Sequence, residues 1–211
     1  MNWPEPREPG AARVDDGAVP RRPALVGAVL CGGSGRRMGR DKALIERDGR
    51  ALAVRVADAL RRAGCEEVWA IGGDGDALAA LGLIVVADRH PGEGPLGGLA
   101  TALAAAAPGA TLVLAPCDVL DPDPAAIRPV VVALASAPSE VDVAVPRVAG
   151  RDEWIHAAWR VRPAVTVAVE GLVASGRRRL DAVAEVALAQ AVAGIDPAAL
   201  ADADRPEDLD V

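Results

Sequence analysis

The chain has 211 residues, enough to bury a sizeable core in one domain. Hydrophobic residues make up 51% of it, yet there is no Phe or Tyr and only four Trp, so Ala, Val and Leu must build the interior. A formal net charge of −7 and the scarcity of aromatic platforms exclude a general nucleic-acid surface, which needs clustered Lys and Arg.

Residues 1–23 hold five prolines among mixed charges with no apolar period, which predicts a disordered leader ahead of a single domain over 24–211. No uncharged apolar run is long enough to span a bilayer, and the first residues lack the hydrophobic segment of a signal peptide. Cys31, Cys65 and Cys117 show neither metal nor disulfide spacing. Together these features predict a protein of the reducing cytoplasm with no membrane or nucleic-acid partner.

The run "ALVGAVL" (24–30) reads as a buried strand, and the loop "LCGGSGRRMGRDK" (30–42) follows at once. Leu52, Val56, Ala59 and Leu60 repeat at helical spacing until Gly64 stops them, and "EEVWAIG" (66–72) reads as the next strand. "LIVVAD" (83–88), an Ala-rich helix from about residue 96, and "TLVLAPCD" (111–118) continue the alternation. Beyond "VDVAVPRV" (141–148) and "EWIHAAWRV" (153–161), helices are expected near 165–174 and 180–187. Apolar strands separated by helices predict a three-layer, Rossmann-like α/β fold: a mostly parallel sheet with helices on both faces. Ligands of such sheets sit beyond the carboxyl ends of the strands, where the unusual residues of this chain cluster.

The first loop carries Gly32, Gly33, Gly35 and Gly39 with Arg36, Arg37, Arg40 and Lys42, a combination that can present bare backbone and positive charge to a phosphate. Its spelling matches neither the P-loop nor the dinucleotide fingerprint, so an ordinary glycine-rich turn with a solvated basic face stands beside the phosphate cradle. Asp118 ends a hydrophobic strand and is suited to Mg2+, a hard ion held by one or two carboxylates plus substrate phosphates; a helix cap or turn in "DVLDPDP" is the alternative. In "GEGPLGGL" (92–99), Pro95 near a helix start with small residues behind it would let a ligand approach the helix N-terminus, or would simply allow tight helix–sheet packing. Asp88 could accept hydrogen bonds from a nucleobase or stand as an exposed loop aspartate.

Taken in order, "LCGGSGRRMGRDKALIERDG", "DRHPGEGPLGGL" and "APCD" resemble the molybdenum cofactor guanylyltransferases among the sugar-nucleotide-like nucleotidyltransferases. Leu30, Gly32, Gly33, Arg37, Met38, Gly39 and Lys42 match that family's first motif, and "DADRPEDL" (202–209) resembles its closing one, with Arg205 in place of Thr. The resemblance implies transfer of GMP from GTP to the phosphate of molybdopterin, with release of pyrophosphate and Mg2+ as cofactor. It implies Lys42, Arg37 and Asp118 as the catalytic set, Asp118 being the metal ligand. Nucleotide binding falls to Leu30, Cys31, Gly32, Gly33, Ser34, Gly35, Lys42, Asp88, Pro95, Leu96, Gly97 and Asp118, with Asp88 toward guanine. GTP, molybdopterin and proteins that mature molybdoenzymes are the implied partners.

The chain departs from the family where Glu153, Trp154 and Ile155 replace a Gln-Pro-Leu start, where Val119 and Leu120 follow Asp118 in place of x-Pro, and where Gly72, Gly73 and Asp74 stand in place of an Asn. His156 and Arg177 to Arg179 are further contacts for the acceptor, or else a packed histidine and a solvated charge run. A cytidylyltransferase, a transferase for another phosphorylated acceptor, and a GTP-binding regulator without turnover are the competing readings.

Overall fold

In the computed structural model, residues 24–32 and 41–203 are described; the expected leader over 1–23 lies outside them. The first strand, β1 (Leu25–Leu30), is buried from its second residue onward because both faces of the sheet are covered. Its side chains alternate between two apolar clusters, Val26, Ala28 and Leu30 on one face and Val29 on the other. At Gly27 a Cβ would meet Leu60 Cδ1 at 3.1 Å and Val68 Cγ2 at 3.2 Å, so the missing side chain lets the first helix lie close to the strand.

A two-stranded hairpin, β2 (Glu46–Arg47) and β3 (Arg50–Ala51), leads into α1 (Leu52–Ala63). Gly64 ends α1 in the left-handed region at φ 116°, and its N–H donates to the Arg61 and Leu60 carbonyls. There follow β4 (Glu67–Ile71), α2 (Gly75–Ala80), β5 (Ile84–Val86), α3 (Gly94–Ala105), β6 (Thr111–Pro116) and α4 (Pro124–Ser136). The remainder is β7 (Val143–Val148), β8 (Arg151–Asp152), β9 (Ala158–Arg160), α5 (Pro163–Ala174) and β10 (Ala189–Val192). Short 3-10 turns at Trp154–His156 and Leu180–Glu185 occupy segments where the sequence reads as a single run and as an α-helix.

Among the described residues the main sheet runs β5-β4-β1-β6-β9-β7-β10, with β8 paired to the edge of β7. The four strands from β5 to β6 are parallel, β9 runs antiparallel between β6 and β7, and β10 is parallel to β7. Leu96, Leu99 and Leu103 of α3 and Val165 and Val169 of α5 close one face. Val56 and Leu60 of α1, Leu78 of α2, and Val130 and Leu134 of α4 close the other. The largest side chain in the interior is Trp159, fully buried 6.4 Å from the ring of Trp154. The expected mostly parallel α/β sheet with helices on both faces is what the chain forms. Its successive crossovers leave β1 toward β4 on one side, while β6 pairs on the other, so the carboxyl end of β1 is a topological switch point.

Candidate active site

Two residues separated by most of the first half of the chain meet at that switch point. Lys42 begins a 3-10 turn (Lys42–Leu44) capped by Asp41, whose carboxylate accepts from the Ala43 N–H at 3.0 Å. Asp118 follows β6 by two residues. The Lys42 ammonium donates to Asp118 Oδ2 at 2.8 Å and to the Ala203 carbonyl at 2.6 Å. The two side chains are 25% and 16% exposed, accessible to a ligand yet shielded enough for their charges to count. Ala203 reaches this point because segment 201–203 lies beside 118–120: the Ala203 N–H donates to the Asp118 carbonyl at 2.8 Å and the Leu120 N–H to the Ala201 carbonyl at 2.9 Å. Asp118 does not cap α4; Asp123 does, accepting from the Ala125 N–H at 2.8 Å.

The pair lines a cavity of about 430 Å³ together with Leu30, Cys31, Gly32, Asp41 and Pro95. A cleft of about 860 Å³ shares Cys31, Gly32, Asp41 and Gly94 with it and extends along Gly72, Gly73, Val86 and Asp88. Its floor is bare backbone. A Cβ on Gly72 would lie 3.2 Å from the Gly32 Cα, and one on Gly73 would lie 3.0 Å from the Cys31 carbonyl. Gly72 and Gly73 therefore let the loops after β1 and β4 touch. Asp88 is half-buried beside them: Oδ1 accepts from the Thr101 hydroxyl at 3.0 Å and from the His90 N–H at 2.9 Å.

Most sequence-expected residues converge here, with qualifications. The Cys31 and Gly32 N–H groups both donate to the Ile71 carbonyl, at 2.9 and 3.1 Å, so these two amides serve the β1–β4 junction and are not open to a phosphate. The candidates Gly33, Ser34, Gly35 and Arg37 lie outside the described residues. Pro95 lines the cavity, whereas Leu96 is fully buried in the core with its N–H donated to the Arg178 carbonyl at 3.3 Å. Gly97 faces the loop before α3, where a Cβ would sit 2.9 Å from the His90 Cβ and 3.0 Å from its carbonyl. Sequence reading missed Asp41, which lines both cavities and also accepts from the Asp74 N–H at 3.3 Å, and it missed Thr101. The signal for Asp41 was its position one residue before a predicted phosphate-binding lysine.

A third cavity of about 580 Å³ adjoins the 430 Å³ cavity of Lys42 and Asp118 through Pro95 and Ile155, and its wall includes Glu153, Trp154, Arg179 and Asp181. The segment in which this chain departs from the resembling family thus faces open space. Each member of the arginine run has an acidic partner: Arg177 with Glu185 at 3.0 Å, Arg178 with Glu93 at 3.0 Å, Arg179 with Asp181 at 2.8 Å. His90 Nε2 lies 2.8 Å from Glu170 Oε2, and burial pushes the His156 imidazole down to about 4, which keeps it neutral at ordinary pH. Cys31 and Cys117 sit side by side at the strand ends, and the contact with Cys31, with burial, holds the Cys117 thiol protonated. Among the described residues no three His, Cys, Asp or Glu side chains cluster to hold a metal, and no helix is long and apolar enough to cross a membrane.

A molybdenum cofactor guanylyltransferase of Xanthomonas euvesicatoria pv. vesicatoria is 45% identical over 92 residues, 44% of this chain and 46% of that protein. The chain thus spans about half the length of this and other curated relatives it matches. A probable molybdenum cofactor guanylyltransferase of Mycobacterium marinum is 31% identical over 88% of this chain and 92% of that one. Among solved structures, molybdopterin-guanine dinucleotide biosynthesis protein A of Archaeoglobus fulgidus superposes with a TM-score of 0.71 over 88% of this chain and 95% of that one; at 19% identity it shows the shared fold. The sequence profile of the MobA-like NTP transferase domain matches residues 27–191, so the chain belongs to that family.

Proposed function

We propose that residues 24–211 act as one transferase unit that moves GMP from GTP to the terminal phosphate of molybdopterin and releases pyrophosphate. The observation that carries this reading is the meeting of Lys42 and Asp118 at the switch point, in a cavity that shares Cys31, Gly32, Asp41 and Gly94 with a cleft reaching Asp88. The names of the relatives aligned over most or half of the chain supply the substrates of the proposal.

The chemistry asks little of an acid or base. An acceptor phosphate oxygen, already anionic, forms a bond to the α-phosphorus of GTP as the bond to the bridging oxygen of the β-phosphate breaks, and the electron pair leaves with pyrophosphate. What is needed is alignment and neutralisation of charge. Lys42 supplies a fixed positive charge beside Asp118, and Arg37 adds a second in this reading. The bare floor at Gly32, Gly72 and Gly73 admits a flat base close to backbone, and Asp88 offers an acceptor to its edge. The third cavity, with Trp154 and Arg179, would receive the acceptor.

Mg2+ fits the donor set: the Asp118 carboxylate and the Ala203 carbonyl are hard oxygens that already accept a cationic group, the Lys42 ammonium. Bound there, the ion would neutralise phosphate charge. Asp118 would hold it, with phosphate oxygens and water completing its shell, in a protein of the cytoplasm that serves molybdoenzyme maturation.

The test supplies molybdopterin with GTP, CTP, ATP or UTP and Mg2+, and detects dinucleotide and pyrophosphate. Product with GTP alone is expected. Product with CTP alone, or tight GTP binding with no pyrophosphate, would overturn the reading.

A further inference from the structure

Among the described residues Thr101 is the one polar side chain in the buried core, with 0% exposure, on a helix otherwise built of Gly, Ala, Leu and one Pro. A hydroxyl in such a place must be bonded, and its bonds have a fixed direction. The Arg89 N–H can only donate, and it points at Thr101 Oγ1 at 3.1 Å. The single hydroxyl proton is therefore left for the Asp88 carboxylate, whose Oδ1 lies 3.0 Å away. The His90 N–H donates to the same Oδ1 at 2.9 Å, closing a turn of the Asx type. Both acceptor positions of Oδ1 are used. Among the described residues no bond is made to Oδ2, which lies nearest, at 3.6 Å, to where a Cβ of Gly32 would stand on the floor of the large cleft.

We propose that Thr101 is a positioning residue for nucleobase selection. By occupying Oδ1, together with the His90 N–H, it holds the Asp88 carboxylate in one orientation, so that a single oxygen faces the cleft as an acceptor. Guanine presents two adjacent donors on its Watson–Crick edge, N1–H and the 2-amino group, and an acceptor-only oxygen suits them. Adenine presents an unprotonated N1 at the same place and meets acceptor against acceptor. Without the Thr101 hydroxyl the carboxylate keeps only the His90 N–H to orient it, the Arg89 N–H loses its acceptor, and the two bases become harder to tell apart. This inference rests on the reading of the cleft as a guanine-nucleotide site.

Equilibrium binding of GTP, ITP and ATP to the full-length protein with Mg2+ tests it, in the wild type and in Thr101→Val, Thr101→Ser and Thr101→Cys. Wild-type preference for GTP over ATP is expected to fall about tenfold in Thr101→Val, the loss of one hydrogen bond. Thr101→Ser, which keeps the hydroxyl, is expected within about twofold of wild type, and Thr101→Cys, a weak donor of similar size, between the two. The cysteine variant keeps the test open were the valine variant unable to fold. A loss of general stability would weaken all three nucleotides alike and leave their ratios unmoved. Ratios unchanged in both Thr101→Val and Thr101→Cys overturn the role of Thr101 while leaving the guanine reading intact, and so does an equal loss in Thr101→Ser. A wild-type protein that shows no preference for GTP overturns the guanine reading and this inference with it.

Discussion

Replacing Lys42 by Met withdraws, among the described residues, the charge-assisted bonds to Asp118 Oδ2 at 2.8 Å and to the Ala203 carbonyl at 2.6 Å. Bonds to charged groups are worth about 1.5–3 kcal/mol each. The ammonium must be dehydrated to make them, and Met preserves the packing of the aliphatic stem, so the net loss of unfolding free energy is expected at about 2–3 kcal/mol. A double-mutant cycle of Lys42→Met with Asp118→Asn isolates the pair, and a coupling of about 1–2 kcal/mol is expected because both side chains are mostly shielded. Urea denaturation followed by Trp emission provides the four free energies. Repetition in about 1 M salt should shrink the coupling only modestly, since a partly buried pair is poorly screened. A coupling below about 0.3 kcal/mol would show that the two groups act independently and would refute the electrostatic account of the site. On turnover, Lys42→Ala is expected to cost about 2.7–4 kcal/mol of transition-state stabilisation, read as pyrophosphate release; a fall of less than about tenfold would remove Lys42 from the chemistry.

Two glycines on neighbouring helices should respond with opposite signs. Gly97→Ala forces a methyl into the loop at His90 and should destabilise by about 1–3 kcal/mol, whereas Gly171→Ala on α5 meets nothing within 4 Å and should stabilise by about 0.8–1 kcal/mol. Paired urea midpoints decide this, and equal signs would contradict the packing described. The neutral His156 gives a pH dependence. Its native value of about 4 lies below the ordinary 6.5, so the unfolded chain takes up the proton first and stability falls as pH drops from about 6.5 to about 4. That fall amounts to at most about 3 kcal/mol, and His156→Gln should flatten the acid limb; parallel limbs in the two proteins would argue against a desolvated imidazole.

The parts of the fold that read directly from sequence are those whose signal is local. β1, β4, β5 and β6 are apolar runs bounded by Gly or Asp, and α1 carries both its periodicity and its stop at Gly64. α4 has Pro129 in its interior, a residue that normally argues against a helix, and its Asp123 cap was hidden among neighbouring acids. The direction of β9 is invisible to periodicity, which encodes faces but not polarity, so the antiparallel insertion between β6 and β7 emerges only in three dimensions. At the site, Lys42 and Asp118 were legible as separate chemistries, yet their contact depends on β1 and β6 being neighbours. Thr101 gave no signal because one hydroxyl in an alanine-rich helix looks incidental until Asp88 is beside it. The phosphate-cradle expectation for Cys31 and Gly32 did not account for β4, whose Ile71 carbonyl takes both amides.

The aromatic poverty of this interior has an optical consequence. With no Tyr in the chain, near-ultraviolet emission comes from four indoles alone. Trp154 forms part of the wall of the 580 Å³ cavity, and 6.4 Å behind it Trp159 is wholly sealed from solvent. A molecule entering that cavity alters the polarity around one indole while its close neighbour stays dry, so the protein carries a built-in, label-free gauge of occupancy at that cavity.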